Sequence, residues 1–195
     1  MIWAVVLAAG ESRRMGQTKL LLPINGKSII ESVLDTVVRS KTDRILVVLG
    51  ADSQRISKKI EGYDIHSTVN PHFREGMLSS IQWGLKALRG EVSAVLVVLG
   101  DQPSISSDVI DALIAAYGKV KKGIVVPAYK GKRGHPVLID EKYFEEIAKL
   151  NPEIGLRELL HRHPEDVLEV EAKTASILGD VDTIKDYWRE LKKRS

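Results

Sequence analysis

The sequence predicts a single three-layer α/β/α domain over residues 1–195, with a mostly parallel but mixed central sheet. Two observations support this fold class. Short apolar runs such as Ile2–Leu7 and Ala94–Leu99 show no polar alternation, which is typical of strands buried on both faces. These runs also alternate along the chain with segments of helical periodicity. That order favours a sheet of parallel strands covered by helices on both sides.

The first helix, over residues 28–39, is the best defined of the predicted elements. Ser28 and Glu31 form the Ser-x-x-Glu pattern of a capping box, and the apolar residues that follow recur with helical period. Further strands are expected at residues 44–49, 65–69, 94–99, 123–128, 135–139 and 167–171, and further helices at 52–60, 77–88, 107–117, 141–150, 155–163 and 183–193. Asp52 is expected to cap the second helix. A basic turn at 130–134 predicts a hairpin, and therefore a mixed sheet.

Composition narrows the possible classes of protein. A chain of 195 residues with 44% hydrophobic content is long enough for one well-packed domain. The absence of cysteine excludes disulfides, thiolate metal sites and a cysteine nucleophile, and it is compatible with a reducing compartment. The apolar runs are too short to span a membrane, and a strand at residue 2 leaves no room for a signal peptide. We therefore expect a cytoplasmic protein with no membrane partner.

The net charge of +3 and the pI near 9.0 do not by themselves indicate a nucleic-acid partner. Charges of both signs are interspersed, and aromatic residues, which would stack bases, make up only 5% of the chain. The basic cluster Lys192–Arg194 is interpreted as a solvated helix end. We expect a monomer that does not bind nucleic acid.

The loop after the first strand carries the strongest functional signal. Gly10 and Gly16 allow close approach of backbone N–H groups to phosphate oxygens, and Arg13, Arg14 and Lys19 add positive charge. Ligands of open α/β sheets collect at the carboxyl ends of strands, so this loop is expected to bind an anion. Its spacing fits neither G-x-x-x-x-G-K-[ST] nor G-x-G-x-x-G. The alternative is a glycine turn whose basic residues are only solvated.

Aspartates stand where a metal site at the same sheet edge would need them. Asp101 follows the buried strand ending at Leu99, while Asp180 and Asp182 precede the last helix. Mg²⁺ takes one or two protein carboxylates and completes its shell with substrate phosphates and water. The alternative is that Asp101 is a turn residue and that Asp182 caps the last helix.

Residues 7 to 23 match the nucleotidyltransferase signature L-A-A-G-x-S-x-R-M-G-x-x-K-L-L-L-P at every fixed position. Within that superfamily the chain resembles the molybdenum cofactor cytidylyltransferases. Shorter matching motifs lie at Asn70–Ile81, Leu99–Pro103, Gly131–Pro136 and Gly179–Thr183. The resemblance implies a Rossmann-like, GT-A-like nucleotidyltransferase domain that transfers CMP from CTP to the terminal phosphate of molybdopterin-type cofactor and releases pyrophosphate. It also implies Mg²⁺ or Mn²⁺ as cofactor and transient contact with a recipient molybdoenzyme.

The resemblance and the residue chemistry together assign candidate site residues. The expected catalytic residues are Lys19, Arg13 and Asp101, and the expected metal ligands are Asp101 and Asp180. The expected nucleotide-binding residues are Leu7, Ala8, Ala9, Gly10, Ser12, Arg13, Lys19, Asn70, Gly76, Ser79 and Ser80. The expected pterin-binding residues are Gly134, His135, Pro136 and Asp182.

Three alternative functions stay open: a guanylyltransferase, a sugar- or polyol-phosphate cytidylyltransferase, and a non-catalytic accessory protein that binds nucleotide and cofactor. Ser12 and Thr18 stand where sugar-nucleotide relatives typically have glycine and proline, which disfavours the second. Ala9 stands where guanylyl-transferring relatives have glycine, so its methyl group fills space that a purine would need. The hydroxyl of Ser79 suits the edge of cytosine. CTP is therefore predicted over GTP.

Overall fold

The computed structural model describes residues 1–193, so Arg194 of the predicted basic cluster lies outside the described residues. The strands are β1 (Ile2–Ala8), β2 (Pro23–Ile24), β3 (Lys27–Ser28), β4 (Arg44–Leu49), β5 (His66–Val69), β6 (Ala94–Leu99), β7 (Ile124–Tyr129), β8 (Lys132–Arg133), β9 (Val137–Asp140) and β10 (Val167–Glu171). The α-helices are α1 (Ile29–Val38), α2 (Ser53–Ile60), α3 (Met77–Ala87), α4 (Ser107–Lys119), α5 (Phe144–Lys149), α6 (Arg157–Arg162) and α7 (Ile184–Lys193).

One large sheet runs in the order β10-β7-β9-β6-β1-β4-β5, with β8 paired to β7. Strand β1 lies at its centre and is parallel to both β4 and β6, whereas β9 is inserted antiparallel between β6 and β7. The short strands β2 and β3 form a separate antiparallel ribbon that the sequence did not predict. The predicted mostly parallel, mixed α/β sheet is confirmed.

The central strands are buried on both faces, as their uninterrupted apolar runs predicted. Val6 packs with Ile30 and Leu34 of α1 on one face of the sheet. Val5, the preceding residue on β1, packs with Leu78 and Ile81 of α3 on the other face. Consecutive side chains of a strand point to opposite faces, so β1 contributes to both hydrophobic cores. The rigid strand ends that result carry the loops of the candidate site.

Helix ends agree with the sequence in one case and differ in another. Ser28 and Glu31 form the predicted capping box at the start of α1. Asp52 stands at the predicted N-cap position of α2, but its side chain makes no cap hydrogen bond. Its carboxylate instead accepts a hydrogen bond from the hydroxyl of Thr18. This bond ties α2 to the loop after β1, residues 9–19, which is named the phosphate loop for its predicted role. Within residues 1–193, no helix is both long and apolar enough to cross a bilayer.

Candidate active site

Strands β1 and β6 end side by side and bring two sequence motifs to one edge of the sheet. Leu7 is in register with Leu99, and the N–H of Gly100 donates to the carbonyl oxygen of Leu7 over 3.0 Å. The loop that follows β1 and the aspartate that follows β6 therefore begin from adjacent backbone positions. This fixes the phosphate loop and Asp101 against each other, as expected for a site at the carboxyl ends of parallel strands.

Lys19 lies at the centre of this site. Its Nζ is 2.5 Å from Oδ2 of Asp101 and 2.8 Å from Oδ1 of Asp182, and the lysine side chain is only 12% exposed. Burial by itself would lower the pKa of Lys19, but the charges of Asp101 and Asp182 and their hydrogen bonds outweigh it and raise that pKa. The lysine is therefore a fixed cation in the cleft and not a solvated loop residue.

The loop backbone is held in a compact shape around Lys19. Ser12 has a left-handed conformation with φ 52°, and its Oγ accepts a hydrogen bond of 3.0 Å from the N–H of Lys19. Gly16 also has positive φ, which a glycine adopts without strain. Gly10 differs, because its φ is not positive and a Cβ built there would meet nothing within 4 Å. The open space beside Gly10 faces the cleft, where a ligand could approach the backbone.

The acidic loop before α7, formed by residues 179–183, is anchored beside Asp101. The N–H of Val181 donates to the carbonyl oxygen of Asp101 over 3.0 Å. Partial burial and the negative charge of Asp101 raise the pKa of Asp180 above its ordinary value. Asp101 and Asp180 line the same cavity.

The donor set fits Mg²⁺ or Mn²⁺ held by few protein ligands. Among residues 1–193 no group of three or more His, Cys, Asp or Glu side chains is arranged to hold an ion. Asp101 and Asp180 line one cavity, and two carboxylates completed by substrate oxygens and water are the arrangement that Mg²⁺ favours.

Asp182 does not cap α7, so the capping alternative was wrong. Its Oδ1 contacts Lys19, and its Oδ2 accepts a hydrogen bond of 3.2 Å from Nη1 of Arg14. The start of α7 is held instead by Thr183 and Asp186, which exchange side-chain to backbone hydrogen bonds. Arg14 was missing from the predicted site residues. The signal for it was available, since Arg14, and not Arg13, stands at the fixed arginine of the signature.

The segment from Asn70 to Ser80 forms one wall of the cleft, but much of its polar chemistry is used internally. Asn70 is fully buried, and its Nδ2 donates to Ser79 and Ser80 over 3.1 Å each. The hydroxyl of Ser79 also lies within hydrogen-bond distance of the carbonyl oxygens of His72 and Gly76. These contacts place Asn70 and Ser79 behind the cleft surface, while Ser80 lines it. Direct contacts of Asn70 and Ser79 with nucleotide stay predictions.

Gly134 and His135, two of the predicted pterin-binding residues, pack against Ile177, which precedes the acidic loop. The N–H of His135 donates to the carbonyl oxygen of Ile177 over 3.0 Å, and a Cβ on Gly134 would collide with the same carbonyl. Pro136 is buried, and burial lowers the pKa of His135 although the charge of Asp180 acts in the opposite direction. Gly134 and His135 are thus held against Ile177, three positions before Asp180, and contact of these residues with a pterin remains a prediction.

Two adjoining cavities of about 320 Å³ each form the cleft and share Leu7, Gly10, Asp101 and Asp182. The first cavity is charged, and its other lining residues are Glu11, Ser12, Arg13, Arg14, Lys19 and Leu20. The second is more apolar, and its other lining residues are Ala9, Phe73, Gly76, Met77, Ser80, Leu99 and Asp180. Ala8 is buried and lines neither cavity. The arrangement suits a molecule with a phosphate tail in the charged half and a flat ring in the apolar half.

Comparison with protein families places this geometry among nucleotidyltransferases. The family described as "MobA-like NTP transferase domain" matches residues 4–167, which include the phosphate loop and Asp101. A solved Mycobacterium tuberculosis H37Rv protein, Rv0371C in complex with manganese, is 25% identical and superposes with a TM-score of 0.81. The match covers 98% of this chain and 97% of that chain.

Three relatives have names that describe different roles. The Paenarthrobacter nicotinovorans protein "Nicotine blue oxidoreductase" is 28% identical, and the match covers 97% of this chain and 96% of the relative. The Bacillus subtilis "Purine catabolism protein PucB" is 31% identical, with coverage of 94% and 92%. The Escherichia coli "Molybdenum cofactor cytidylyltransferase" is 24% identical, with coverage of 94% and 92%. The similarity therefore indicates the family and leaves the substrate open.

Proposed function

Since the chain belongs to the MobA-like NTP transferase family and is a nucleotidyltransferase, we propose that it transfers CMP from CTP to the terminal phosphate of a molybdopterin-type cofactor and releases pyrophosphate. The observation that carries the proposal is the position of Lys19. A nearly buried ammonium between two carboxylates, beside a glycine loop at a sheet edge, is suited to a phosphorylated substrate in complex with a metal ion.

The residues of the charged half position the triphosphate of CTP in this proposal. Lys19 and Arg14 contact the phosphates, together with Arg13 at the cleft rim, and the open space beside Gly10 lets the loop backbone approach them. A guanidinium provides several N–H donors in a fixed plane, which suits phosphate oxygens, whereas Lys19 provides a point charge. The cations favour the transition state because they are already fixed where negative charge develops.

Asp101 and Asp180 would hold the metal ion. Asp182 would instead position Lys19 and Arg14, both of which donate hydrogen bonds to its carboxylate. A bound Mg²⁺ or Mn²⁺ would neutralise charge on the phosphates of CTP and on the departing pyrophosphate. The chain itself needs no nucleophilic side chain, because the acceptor phosphate attacks the α-phosphorus and is already ionised at neutral pH. The protein contributes alignment of the two substrates and exclusion of water.

The apolar half of the cleft is assigned to the ring systems. Ala9 and Met77 contribute apolar contacts, and Ser80 contributes a hydroxyl that can donate or accept. The methyl group of Ala9 is packed close to Gly50, where an added Cβ would lie 2.8 Å from it. Because Ala9 is already packed against Gly50, it has little room to move away from a larger base. The smaller pyrimidine of CTP is therefore predicted to bind in preference to the purine of GTP.

The experiment that tests the proposal measures pyrophosphate release from CTP and Mg²⁺ with and without the molybdopterin acceptor. Release that requires the acceptor, with CMP recovered on the acceptor, supports the proposal. A protein that binds CTP but releases no pyrophosphate in the presence of acceptor would instead fit the accessory binding function. The Asp101→Asn variant is the matched control for contaminating activity.

A further inference from the structure

Two arginines from different loops share the carboxylate of Glu11 at the rim of the cleft. Nη2 of Arg13 lies 2.5 Å from Oε2 of Glu11, and Nε of Arg74 lies 3.3 Å from Oε1. Arg13 and Glu11 belong to the phosphate loop, whereas Arg74 belongs to the turn that precedes α3. The carboxylate thus joins the two walls of the cleft. Glu11 and Arg13 stand at variable positions of the signature, so the motif does not account for this group.

Exposure shows which members of the group are available to a ligand. The side chain of Glu11 is 25% exposed and lines the charged cavity, while Arg13 and Arg74 are 76% and 74% exposed. The carboxylate is therefore fixed at the wall, and the guanidinium groups extend toward solvent. The residues beside Arg74 also border the cleft, since Phe73 and Gly76 line its second cavity.

The charges of the group do not cancel. Two guanidinium groups and one carboxylate leave one net positive charge at the cleft rim. Within residues 1–193, each arginine donates to Glu11 through one nitrogen, and Arg74 additionally lies over the ring of Phe73 at 5.5 Å. A guanidinium has five N–H donors, so most donors of both residues remain available for an anion.

Structural stabilisation is a weak explanation for this group. Exposed ion pairs contribute little to folding, because water screens the charges and ordering two long side chains costs entropy. A phosphate, in contrast, can accept two parallel hydrogen bonds from one guanidinium. The position beside a cleft with a fixed ammonium and open loop backbone favours a ligand with several adjacent phosphates.

We propose that Arg74 is a binding residue for the β- and γ-phosphates of the nucleoside triphosphate and that Glu11 is the positioning residue that holds Arg74 beside Arg13. This inference rests on the proposed function, because it requires a triphosphate in the charged half of the cleft. Arg74 would bind the part of the nucleotide that leaves as pyrophosphate, and it would not contact the nucleoside monophosphate part.

The test is calorimetric titration of CTP, CMP and pyrophosphate, with Mg²⁺ and without acceptor, into the wild-type protein and three variants. Arg74→Ala is expected to weaken CTP and pyrophosphate binding about fivefold to tenfold, a loss of about 1 to 1.4 kcal/mol, and to change CMP binding by less than about twofold. Arg74→Lys is expected to restore part of the affinity, since it keeps the charge but loses the planar donors. Arg89→Ala is the matched control, because Arg89 is exposed and hydrogen-bonds only to carbonyls at the end of α3 among the contacts of residues 1–193.

Titration with CTP, CMP and pyrophosphate separates the role of Arg74 from the proposed function. Unchanged CTP and pyrophosphate binding in Arg74→Ala, or equal weakening of CTP and CMP, would overturn the role of Arg74 and leave the proposed function standing. Failure of the wild-type protein to bind either CTP or pyrophosphate would overturn both. Melting temperatures of the two Arg74 variants should equal that of the wild type, which excludes a folding defect as the cause of weaker binding.

Discussion

The ammonium of Lys19 and the carboxylate of Asp101 form an ion pair 2.5 Å long although 82 positions separate them in the sequence. The pair joins the glycine loop that follows β1 to the aspartate that follows β6. Lys19 thereby neutralises a carboxylate that is proposed to bind the metal ion, so the pair would connect phosphate recognition to cation recognition. Removal of the charge of Lys19 and removal of the charge of Asp101 are therefore expected to have different effects.

Asp101→Asn is expected to reduce turnover to less than about a tenth of the wild-type rate, since even losses around a metal site commonly cost tenfold or more. The substitution removes charge and little volume, so the melting temperature should be nearly unchanged. Pyrophosphate release measures the first quantity and thermal unfolding the second. Asp64→Asn is the control, because Asp64 is an exposed aspartate outside the cleft. Substantial activity in Asp101→Asn would remove this residue from the metal site.

Lys19→Ala is expected to lower turnover by roughly 100-fold, by analogy with the loss of other preorganised charge-stabilising groups. The rate is measured at saturating CTP, so that weakened binding alone does not account for the loss. A rate equal to the wild-type value under those conditions would mean that the Lys19 charge has no part in the transition state.

Lys19→Met should bind free Mn²⁺ more tightly than the wild type when no nucleotide is present. The ammonium lies within 2.8 Å of both Asp101 and Asp182, and its removal leaves a site with uncompensated negative charge. Titration of Mn²⁺ followed by electron paramagnetic resonance measures the free ion directly. Weaker Mn²⁺ binding in the variant would contradict the view that Lys19 competes with the metal.

Gly10→Ala and Gly134→Ala are expected to have opposite effects. A Cβ at Gly10 meets nothing within 4 Å, so the fold should tolerate it, but the methyl group would enter the cleft and weaken CTP binding by roughly tenfold. A Cβ at Gly134 collides with the backbone of Ile177, so that variant should lose about 1 to 3 kcal/mol of unfolding free energy. Denaturant unfolding and CTP titration of both variants give the comparison. Full CTP affinity in Gly10→Ala would place the phosphates elsewhere.

The sequence predicted those parts of the fold that depend on local pattern. The runs in β1 and β6 are apolar because both faces are covered, and Ser28 with Glu31 is a local cap, so each could be recognised without knowledge of the rest of the chain. The side-chain partner of Asp52 could not be predicted, since Thr18 approaches it only in the folded protein. The insertion of β9 between β6 and β7 likewise depends on tertiary pairing, although the antiparallel hairpin itself was predicted.

In the candidate site, too, features that follow from local pattern were predicted, and those that depend on tertiary contacts were not. Lys19 and Asp101 were predicted and lie in contact, because both follow strands that end at one edge. Asp182 was assigned to the pterin, to a helix cap or, in place of Asp180, to the metal, and its contact with Lys19 spans 163 positions, beyond the reach of any local pattern. The burial of Asn70 was hidden as well, since a motif shows which residues recur but not whether a side chain faces the ligand or supports the backbone behind it.

Replacement of Ala9 by glycine is expected to relax the preference for CTP, because loss of the methyl group packed beside Gly50 gives this part of the cavity wall room to adjust to a larger base. The ratio of cytosine to guanine dinucleotide formed by the variant and by the wild type measures this effect. An unchanged ratio would assign base selection to other residues of the wall.

The proposed transfer of CMP is tested most directly by a competition. Equal concentrations of CTP and GTP compete for one limiting pool of molybdopterin acceptor, with the unmodified protein and Mg²⁺. Mass spectrometry of the acceptor identifies which nucleotide has been attached. The cytosine dinucleotide should be the main product, in an amount equal to the pyrophosphate released. A predominant guanine dinucleotide would contradict the assigned base, and an acceptor that remains unmodified would contradict the proposed transfer itself.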